Sequence, residues 1–575
     1  MSDSENPGGK IRHMSGFVRI VHRAILMALA LLGAVWSLEI HSDLGIIIFK
    51  EQFLALVFTL GMTGLFLSVP AQKSRSETGT PWYDWIFVAA SLVVGGFVVF
   101  GYPHIRIDLG LLSAERMILG TIAVALVMEA TRRVAGWALP VLAGFLIFYA
   151  AFADYFPGFL NAPAESWDRL SVYMYLDGNA LFGFPLTVTV SMIIAFILFG
   201  RMLYAVNGAE VLTDFAMAAM GRFRGGPAKV AVLASSFFGT ISGSAVANVL
   251  MDGPITIPMM RKAGYPGHLA AATEAVASTG GQIMPPVMGI TAFIMAEFLA
   301  VPYGDVVLAA LLPALLYYIA LFTQIDLEAG RYNMAPLPRD MLPKLGKVLG
   351  RGLVFIIPIF LLIWTLMVER WQPGKSAMTA AIATLIIGMV HPYTRPTWSR
   401  LVKELIETGR IILDLTIITA IAGIIIGLLQ LTGLAFNISL LLTEAAGGSL
   451  PILLFLTAIV CIVLGMGMPS AVIYIVPFLF VYYPELVFEG SAGAIIAVMI
   501  KSTLGVIIMC YCVTGFLYDR LGAMERGILG IAGLVVLVAP YDTMIGLLGI
   551  AGALAVTVFM LVRGRTRAAA SRANA

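Results

Sequence analysis

Apolar stretches long enough to cross a lipid bilayer recur along almost the whole chain. A helix needs about 20 apolar residues to span the hydrocarbon core. Candidate spans lie at Ala24–Leu38, Phe53–Val69, Trp85–Phe100, Leu119–Ala130, Trp137–Phe152 and Thr187–Tyr204. Further ones lie at Val306–Thr323, Leu353–Val368, Ala377–Val390, Ile411–Leu429, Leu450–Leu464, Ala492–Cys512, Gly527–Val538 and Met544–Val562. The expectation is an all-α polytopic membrane protein with about 14 transmembrane helices. Composition agrees: 60% of the 575 residues are hydrophobic and 12% are charged. That is too little charge to coat several soluble domains, so a cytosolic enzyme, a disordered chain and a nucleic-acid binder are excluded. Cys461, Cys510 and Cys512 all sit in apolar runs and form no CxxC pair;.

Charge sets the orientation. Lys10, Arg12, Arg19 and Arg23 make the N-terminus basic, and Lys73/Arg75, Arg132/Arg133 and Arg222/Arg224 mark later ends of the same side. The segment Arg331–Arg351 and the tail with Arg563, Arg565, Arg567 and Arg572 are also basic. The positive-inside rule puts all of these, including both termini, in the cytoplasm. Two helices read as amphipathic and interfacial. In Thr397–Arg410 the apolar Trp398, Leu401, Val402, Leu405 and Ile406 share one face, and Arg400, Lys403, Glu404 and Glu407 take the other;. Ala209–Met220 is the second and weaker case.

Two stretches share one layout: a span, a glycine turn, a short amphipathic helix, a Gly-Gly pair, an apolar run and a Gly/Ser-rich break. They begin at Gly200 and Gly427. An offset of 222 carries Gly225-Gly226 onto Gly447-Gly448 and Gly243 onto Gly465. The first copy is flanked by Arg222 and Arg224 before its break and Arg261 and Lys262 after it, whereas no Lys or Arg occurs from Leu428 to Ile500. Opposite charge bias implies opposite orientation, and an inverted repeat is the layout of secondary transporters.

The breaks hold the scarce polar chemistry. Segment 239–248, GTISGSAVAN, cannot be a plain membrane helix, because irregular backbone at membrane depth must line protein or a water-filled cavity;. Unwound carbonyls with the hydroxyls of Thr240, Ser242 and Ser244 offer the oxygen shell that a hard cation such as Na⁺ prefers. New helix N-termini at the same place favour a bound anion. In segment 277–287, ASTGGQIMPPV, Pro285-Pro286 deprive preceding carbonyls of helical partners and turn Thr279, Gly280, Gly281 and Gln282 into lining groups;. The second copy breaks at LGMGMPS, residues 464–470. Asp252, Glu274, Asp414 and Lys501 are the ionisable candidates at membrane depth, with at least half expected at helix or hairpin ends;. Glu129, one turn before Arg132 and Arg133, reads as a salt-bridge partner. No GxxxxGK[ST], HExxH or GxSxG motif occurs, and the six histidines show no metal-ligand spacing;. These absences argue against an ATP-driven pump and an intramembrane hydrolase and leave ion-coupled transport, so the chain is not expected to be an enzyme.

The strings GTISGSAVANV, GYPGHLAAATEAVASTGGQIMPPVMG, EATRRVAGWALP and LGMGMPSAVIYIV resemble the fused membrane component of tripartite ATP-independent periplasmic (TRAP) transporters, TAXI branch, over almost the whole chain. The resemblance implies an elevator-type, inverted-repeat transporter with a fused N-terminal helical bundle and re-entrant hairpins. It implies a small-subunit-like bundle with connecting helix over 1–160, a first inverted repeat over 161–330 and scaffold helices with the interfacial helix over 331–425. A second repeat over 426–490 and C-terminal membrane helices over 491–575 complete the layout. Carried over by motif, the ion-binding positions are Ser242, Gly243, Ser244, Gly280, Gly281, Gly465 and Gly467. The substrate-binding positions are Ser244, Asn248, Thr279, Gln282, Pro285, Pro286, Pro469 and Ser470.

The implied function is import across the bacterial inner membrane of an organic acid, a dicarboxylate or an amino acid such as glutamate. Na⁺ is the implied coupling ion, with H⁺ the alternative and no organic cofactor. The implied partners are a periplasmic TAXI-type solute-binding protein and the lipid bilayer, with no ATP and no nucleic acid. One departure stands out: no Pro-Pro follows Pro286, and the repeat offset places its counterpart at Ile508, inside VIIMCYC. The second repeat therefore reads as truncated near Val476–Pro477, and the alternative function is a transport-incompetent subunit that retains docking or assembly.

Overall fold

The computed structural model describes residues 16–71, 79–108, 110–390, 393–447, 491–516 and 521–538, with a few isolated positions such as Arg12 outside these runs. Among the described residues all regular structure is helical. The helices of more than eight residues, in chain order, are α1 Gly16–Ser37, α2 Lys50–Ser68, α3 Trp82–Ile105, α4 Ala114–Ala135, α5 Ala138–Ala151, α6 Trp167–Leu176 and α7 Phe184–Ala205. They continue as α8 Gly208–Met220, α9 Gly226–Ser242, α10 Ala245–Lys262, α11 Gly267–Gly280, α12 Ile290–Phe298, α13 Tyr303–Arg331 and α14 Leu345–Met367. The last are α15 Pro373–Val390, α16 Trp398–Leu431, α17 Leu434–Ala445, α18 Ala492–Thr514 and α19 Ala523–Val538.

Nine helices among the described residues are long and apolar enough to cross a membrane: α1, α2, α3, α7, α13, α14, α15, α16 and α18. Each covers one of the expected spans to within a residue. Expected spans over α5 and α19 form helices of only 14 and 16 residues, and α4 is interrupted by charge. Leu450–Leu464 and Met544–Val562 lie outside the described residues, apart from isolated positions.

The first compact unit comprises Met1–Ala205, Trp371–Leu385 and Pro396–Gly467. Its centre is α2, which is buried on all sides from Phe53 to Ser68 apart from a few positions. Small residues permit this packing, as expected where lipid offers no hydrophobic drive between helices. A Cβ on Gly95 of α3 would overlap the Thr59 hydroxyl of α2, and one on Gly409 of α16 would fall 2.0 Å from the Leu26 carbonyl oxygen of α1. The carbonyls at the end of α2 are capped by arginines: Arg12 donates to Phe66 O (3.2 Å) and Arg133 to Val69 O (3.0 Å);. Asp84 neutralises both guanidinium groups, at 2.5 Å from Arg12 and 2.8 Å from Arg133. Glu129 pairs with Arg132 (2.7 Å) and Arg133 (2.8 Å), the salt bridge that its spacing indicated.

One expectation is corrected here. Thr397–Arg410 is not a separate in-plane helix; it is the start of α16, a single helix of 34 residues. No breaker separates the amphipathic part from the apolar part. The polar face is neutralised in place, by Glu404 with Arg201 (2.5 Å) and Arg410 with Glu407 (2.8 Å). The weaker case does form a helix of its own, α8.

The second compact unit comprises Val206–Arg370, Ile386–Arg395 and Met468–Ala575. Its described core packs α9, α10 and α11 together, with α13 against α9 and α11. Ala228, Ala231, Ala270, Ala277 and Ala329 are fully enclosed in this core, so the helices approach with little side chain between them. In the same unit, α18 packs on α13 and α19, and Cys510 of α18 is buried with its thiol toward the Ala320 carbonyl (3.4 Å).

Candidate functional site

Helices α9 and α10 form a hairpin whose tip is Ser242-Gly243-Ser244. Gly243 takes φ +58°, a left-handed conformation that closes α9 at little cost only for glycine;. The Ser242 hydroxyl receives the Ser244 backbone N–H at 3.4 Å, and the Ser244 carbonyl accepts the first bond of α10, from Asn248 N–H (3.0 Å).

The second break follows α11. Gly281 and Gln282 continue as turns, Pro285-Pro286 is in the cis form, and α12 starts at Ile290. The Gly289 N–H donates back to Gln282 O at 2.7 Å and closes the loop. Three tyrosines of α13 bind carbonyls in this break and in the last turn of α11 before it. Tyr303 Oη donates toward Pro286 O (3.0 Å) and Val287 O (2.5 Å), Tyr317 Oη to Val276 O (2.6 Å) and Tyr318 Oη to Ala277 O (3.2 Å). The aromatic rings of Tyr303 and Phe293 stack at 4.3 Å.

Glycine brings the two breaks together. A Cβ on Gly239 would lie 2.2 Å from Gly281 Cα, and one on Gly281 would lie 2.5 Å from Gly239 Cα. A Cβ on Gly243 would fall 1.8 Å from Met288 O. Asn248 is fully buried beside them, and its amide N–H donates to Ser235 O (2.8 Å). The C-terminal ends of α9 and α11 and the N-terminal ends of α10 and α12 therefore meet in one place. Helix C-termini carry partial negative charge suited to a cation, and N-termini partial positive charge suited to an anion. Hydroxyls of Ser242 and Ser244 stand at the same junction.

The structure thus gathers Ser242, Gly243, Ser244, Asn248, Gly281, Gln282, Pro285 and Pro286 into one locus. Thr279 donates its hydroxyl to its own helix, at Ala275 O (2.7 Å), which leaves only its lone pairs for a ligand. Gly280 has a packing reason of its own: a Cβ there would strike the Tyr317 ring at 2.4 Å. Gly465, Gly467, Pro469 and Ser470 lie outside the described residues. Residue chemistry did not point to Tyr303, Tyr317 and Tyr318; the available signal was three phenols within one apolar span.

The ionisable candidates are corrected in one respect. Asp252, Glu274, Asp414 and Lys501 all fall within helices rather than at their ends. Asp252, Glu274 and Lys501 are buried, and Asp414 is exposed. Lys501 donates to Leu537 O at 3.4 Å.

The chain is similar to the C4-dicarboxylate TRAP transporter large permease protein DctM of Pseudomonas aeruginosa, 29% identical over 281 residues, 49% of this chain and 65% of that protein. It is similar to the 2,3-diketo-L-gulonate TRAP transporter large permease protein YiaN of Escherichia coli, 25% identical over 342 residues, 59% of this chain and 77% of that protein. It is also similar to the sialic acid TRAP transporter large permease protein SiaM of Vibrio cholerae, 23% identical over 238 residues, 41% and 55% of the two chains. The chain spans from about half to just under two-thirds of the length of the first curated relatives it matches. These three relatives are transporter permeases by name, not enzymes. A family model described as "Tripartite ATP-independent periplasmic transporter, DctM component" matches residues 122–518, both breaks included. That match takes in well over half of the sequence, and with nine apolar helices of spanning length among the described residues it makes the chain a multi-pass membrane protein of the DctM component family of tripartite ATP-independent periplasmic transporters.

Proposed function

We propose that the chain is the membrane permease of an ion-coupled importer of an organic acid, in the bacterial inner membrane with both termini cytoplasmic. The observation that carries this reading is the meeting of two helix breaks, with two helix C-termini and two N-termini at one glycine-packed locus. Broken helices of this kind serve ion and substrate binding in secondary transporters. On this reading Na⁺ sits among the carbonyls and hydroxyls of Ser242, Gly243, Ser244, Gly280 and Gly281, with Gly465 and Gly467 completing the second copy. The substrate carboxylate faces Ser244, Asn248, Thr279, Gln282 and the Pro285-Pro286 backbone, with Pro469 and Ser470 from the other copy. The names of relatives, which specify C4-dicarboxylates, sialic acid and 2,3-diketo-L-gulonate, support an acidic substrate. A TAXI-type periplasmic binding protein delivers it, and an elevator movement carries it.

A second reading has its own observation. No Pro-Pro follows Pro286 in the sequence, so a subunit that docks its binding protein without transporting remains the competitor. One experiment separates the two. The full chain is reconstituted in liposomes with the purified binding protein, and uptake of labelled succinate, malate, glutamate and sialic acid is followed under an inward Na⁺ or H⁺ gradient. Gradient-driven uptake of one acid is expected. Binding-protein docking with no uptake of any acid under either gradient refutes the importer reading.

A further inference from the structure

Below the glycine contact lies a second polar cluster. Ser235 of α9, one turn before Gly239, stands between two buried carboxyl groups. Its hydroxyl is 3.2 Å from Glu274 Oε1 and 3.4 Å from Asp252 Oδ2. Glu274 belongs to α11 and Asp252 to α10; they are 0% and 2% exposed. Thr256 Oγ1 lies 2.5 Å from Glu274 Oε2 and 2.9 Å from Asp252 O, and Ser278 Oγ lies 3.3 Å from Glu274 Oε1.

The protons can be counted. A hydroxyl has one proton to donate, and an ionised carboxylate only accepts. Thr256 touches a backbone carbonyl and a carboxylate oxygen, so with Glu274 ionised one of the two contacts has no proton. A proton on Glu274 Oε2 completes both: Glu274 O–H donates to Thr256 Oγ1, which donates to Asp252 O. Ser235 presents the same choice between Glu274 and Asp252. Two uncompensated negative charges side by side in a buried site are strongly disfavoured, and a shared proton removes one of them.

Among the described residues neither carboxyl has a basic partner within salt-bridge distance. From α9 the group that faces them is Ser235, and Lys229 of the same helix is committed to Asp326 of α13 (2.6 Å). From α10 come Asp252 and Thr256; Arg261 and Lys262 sit at its far end, about 13 Å along the axis. From α13 come the phenols Tyr317 and Tyr318, which are committed to Val276 O and Ala277 O. On α11 the remaining titratable group is His268, near its start. On α8, which packs against α9, Glu210 accepts from Tyr393 (2.8 Å).

An independent observation gives the proton a route. Asn248 is fully buried one turn before Asp252 on the same face of α10, and its Oδ1 has no hydrogen-bond partner;. Its amide N–H is held on Ser235 O, against the residue that bridges the carboxyls. Asn248 also lies against the glycine contact, its Nδ2 3.4 Å from where a Cβ on Gly281 would stand, so its unmatched acceptor sits on a side chain between the helix breaks and the carboxyl pair, where a proton-bearing water would find a partner.

We propose that Glu274 and Asp252 form a proton-carrying site, in which the pair takes up one proton from water on one side of the membrane, holds it as a carboxyl O–H beside Ser235 and Thr256, and returns it to water on the other side. The pair has net charge −1 when loaded and −2 when empty, so one proton is moved per cycle and nothing is oxidised or reduced. The role in coupling rests on the transport reading above; the binding of the proton does not.

The test uses the full chain in lipid nanodiscs. Infrared difference spectra across a pH titration should show the carbonyl stretch of a protonated carboxylic acid at neutral pH, titrating as one proton. Glu274→Gln should abolish it, and Asp252→Asn or Ser235→Ala should move its midpoint. No such band in the wild-type chain, its persistence in both E274Q and D252N, or a band that responds to Na⁺ and not to pH overturns the proposal whether or not the variants fold well. In proteoliposomes, an inward gradient of about one pH unit supports about tenfold accumulation per coupled proton. The wild type should accumulate its acid on that scale, and E274Q should show no concentration above equilibrium. Uptake insensitive to the pH gradient refutes the coupling while the transport reading stands. No uptake of any acid refutes both, and the spectrum alone then decides whether the pair holds a proton.

Discussion

Replacing Gly239 by alanine tests the contact that assembles the site. The new Cβ would lie 2.2 Å from Gly281 Cα. Carbon atoms rest at about 3.5–4.0 Å, so the two backbones must part by roughly 1.3–1.8 Å. The obstacle is main chain and cannot rotate aside, which places the cost toward the top of the usual overpacking range of about 1–3 kcal/mol. Gly281→Ala inserts its Cβ into the same gap from the other side, 2.5 Å from Gly239 Cα. Once one substitution has opened the gap, the second costs less, so the double variant should be less destabilised than the sum by about 0.5 kcal/mol or more. Gly96→Ala serves as control: nothing lies within 4 Å of its Cβ, and helix propensity predicts a gain of up to about 1 kcal/mol;. Thermal unfolding of each variant in nanodiscs, followed by intrinsic fluorescence, is the assay. A G239A midpoint equal to wild type, or strict additivity in the double variant, would show that the two breaks are not in contact as described.

Asp84→Ala should be among the most damaging single changes in the first unit, by about 3–5 kcal/mol, because it removes the buried carboxylate that Arg12 and Arg133 share and leaves Glu129 to balance both Arg132 and Arg133;. A wild-type melting midpoint for that variant would contradict the burial of the network. Tyr303→Phe removes the hydroxyl that holds the Pro286 and Val287 carbonyls and should cost about 1–3 kcal/mol, read as a lower melting midpoint with the Phe293 stack retained;. The Tyr393 phenol is held above its ordinary pKa of 10.0, first by its hydrogen bond to Glu210 and then by burial. A raised folded-state pKa stabilises below the unfolded value and is lost as pH rises through the folded one, so this contribution should fade above about pH 10. Tyr393→Phe should flatten that alkaline loss, and an unchanged alkaline melting profile would count against the bond.

Much of this was legible from residue order. Nine of the expected spans correspond to described helices of spanning length because a lipid environment demands long apolar helices and leaves few alternatives;. Both breaks in the first repeat were marked by Gly, Ser and Pro, whose backbone preferences act locally. What could not be read was whatever depends on partners distant in sequence. Glu404 looked like part of a wet face, yet Arg201, far away in the chain, neutralises it and lets the helix run on. Asp252 and Glu274 read as two of four separate ionisable candidates at membrane depth, and only the packing of three helices brings them to one serine. Gly280 reads as an ion-site glycine, while the Tyr317 ring, from a helix 23 residues further on, supplies a steric demand that residue order does not reveal.

The unbroken length of α16 has a mechanical consequence. At 34 residues it extends about 51 Å, whereas the hydrocarbon core is about 30 Å thick;. Tilt alone cannot absorb the difference, since it would require about 54° where membrane helices average about 20°. Its first turns, with Arg400, Lys403 and Glu407, must therefore stand in the headgroup layer or beyond it as the wet end of a rigid strut. A push on that end reaches the apolar end with little loss in between, so water-side forces on this unit and its depth in the bilayer are tied through one rod.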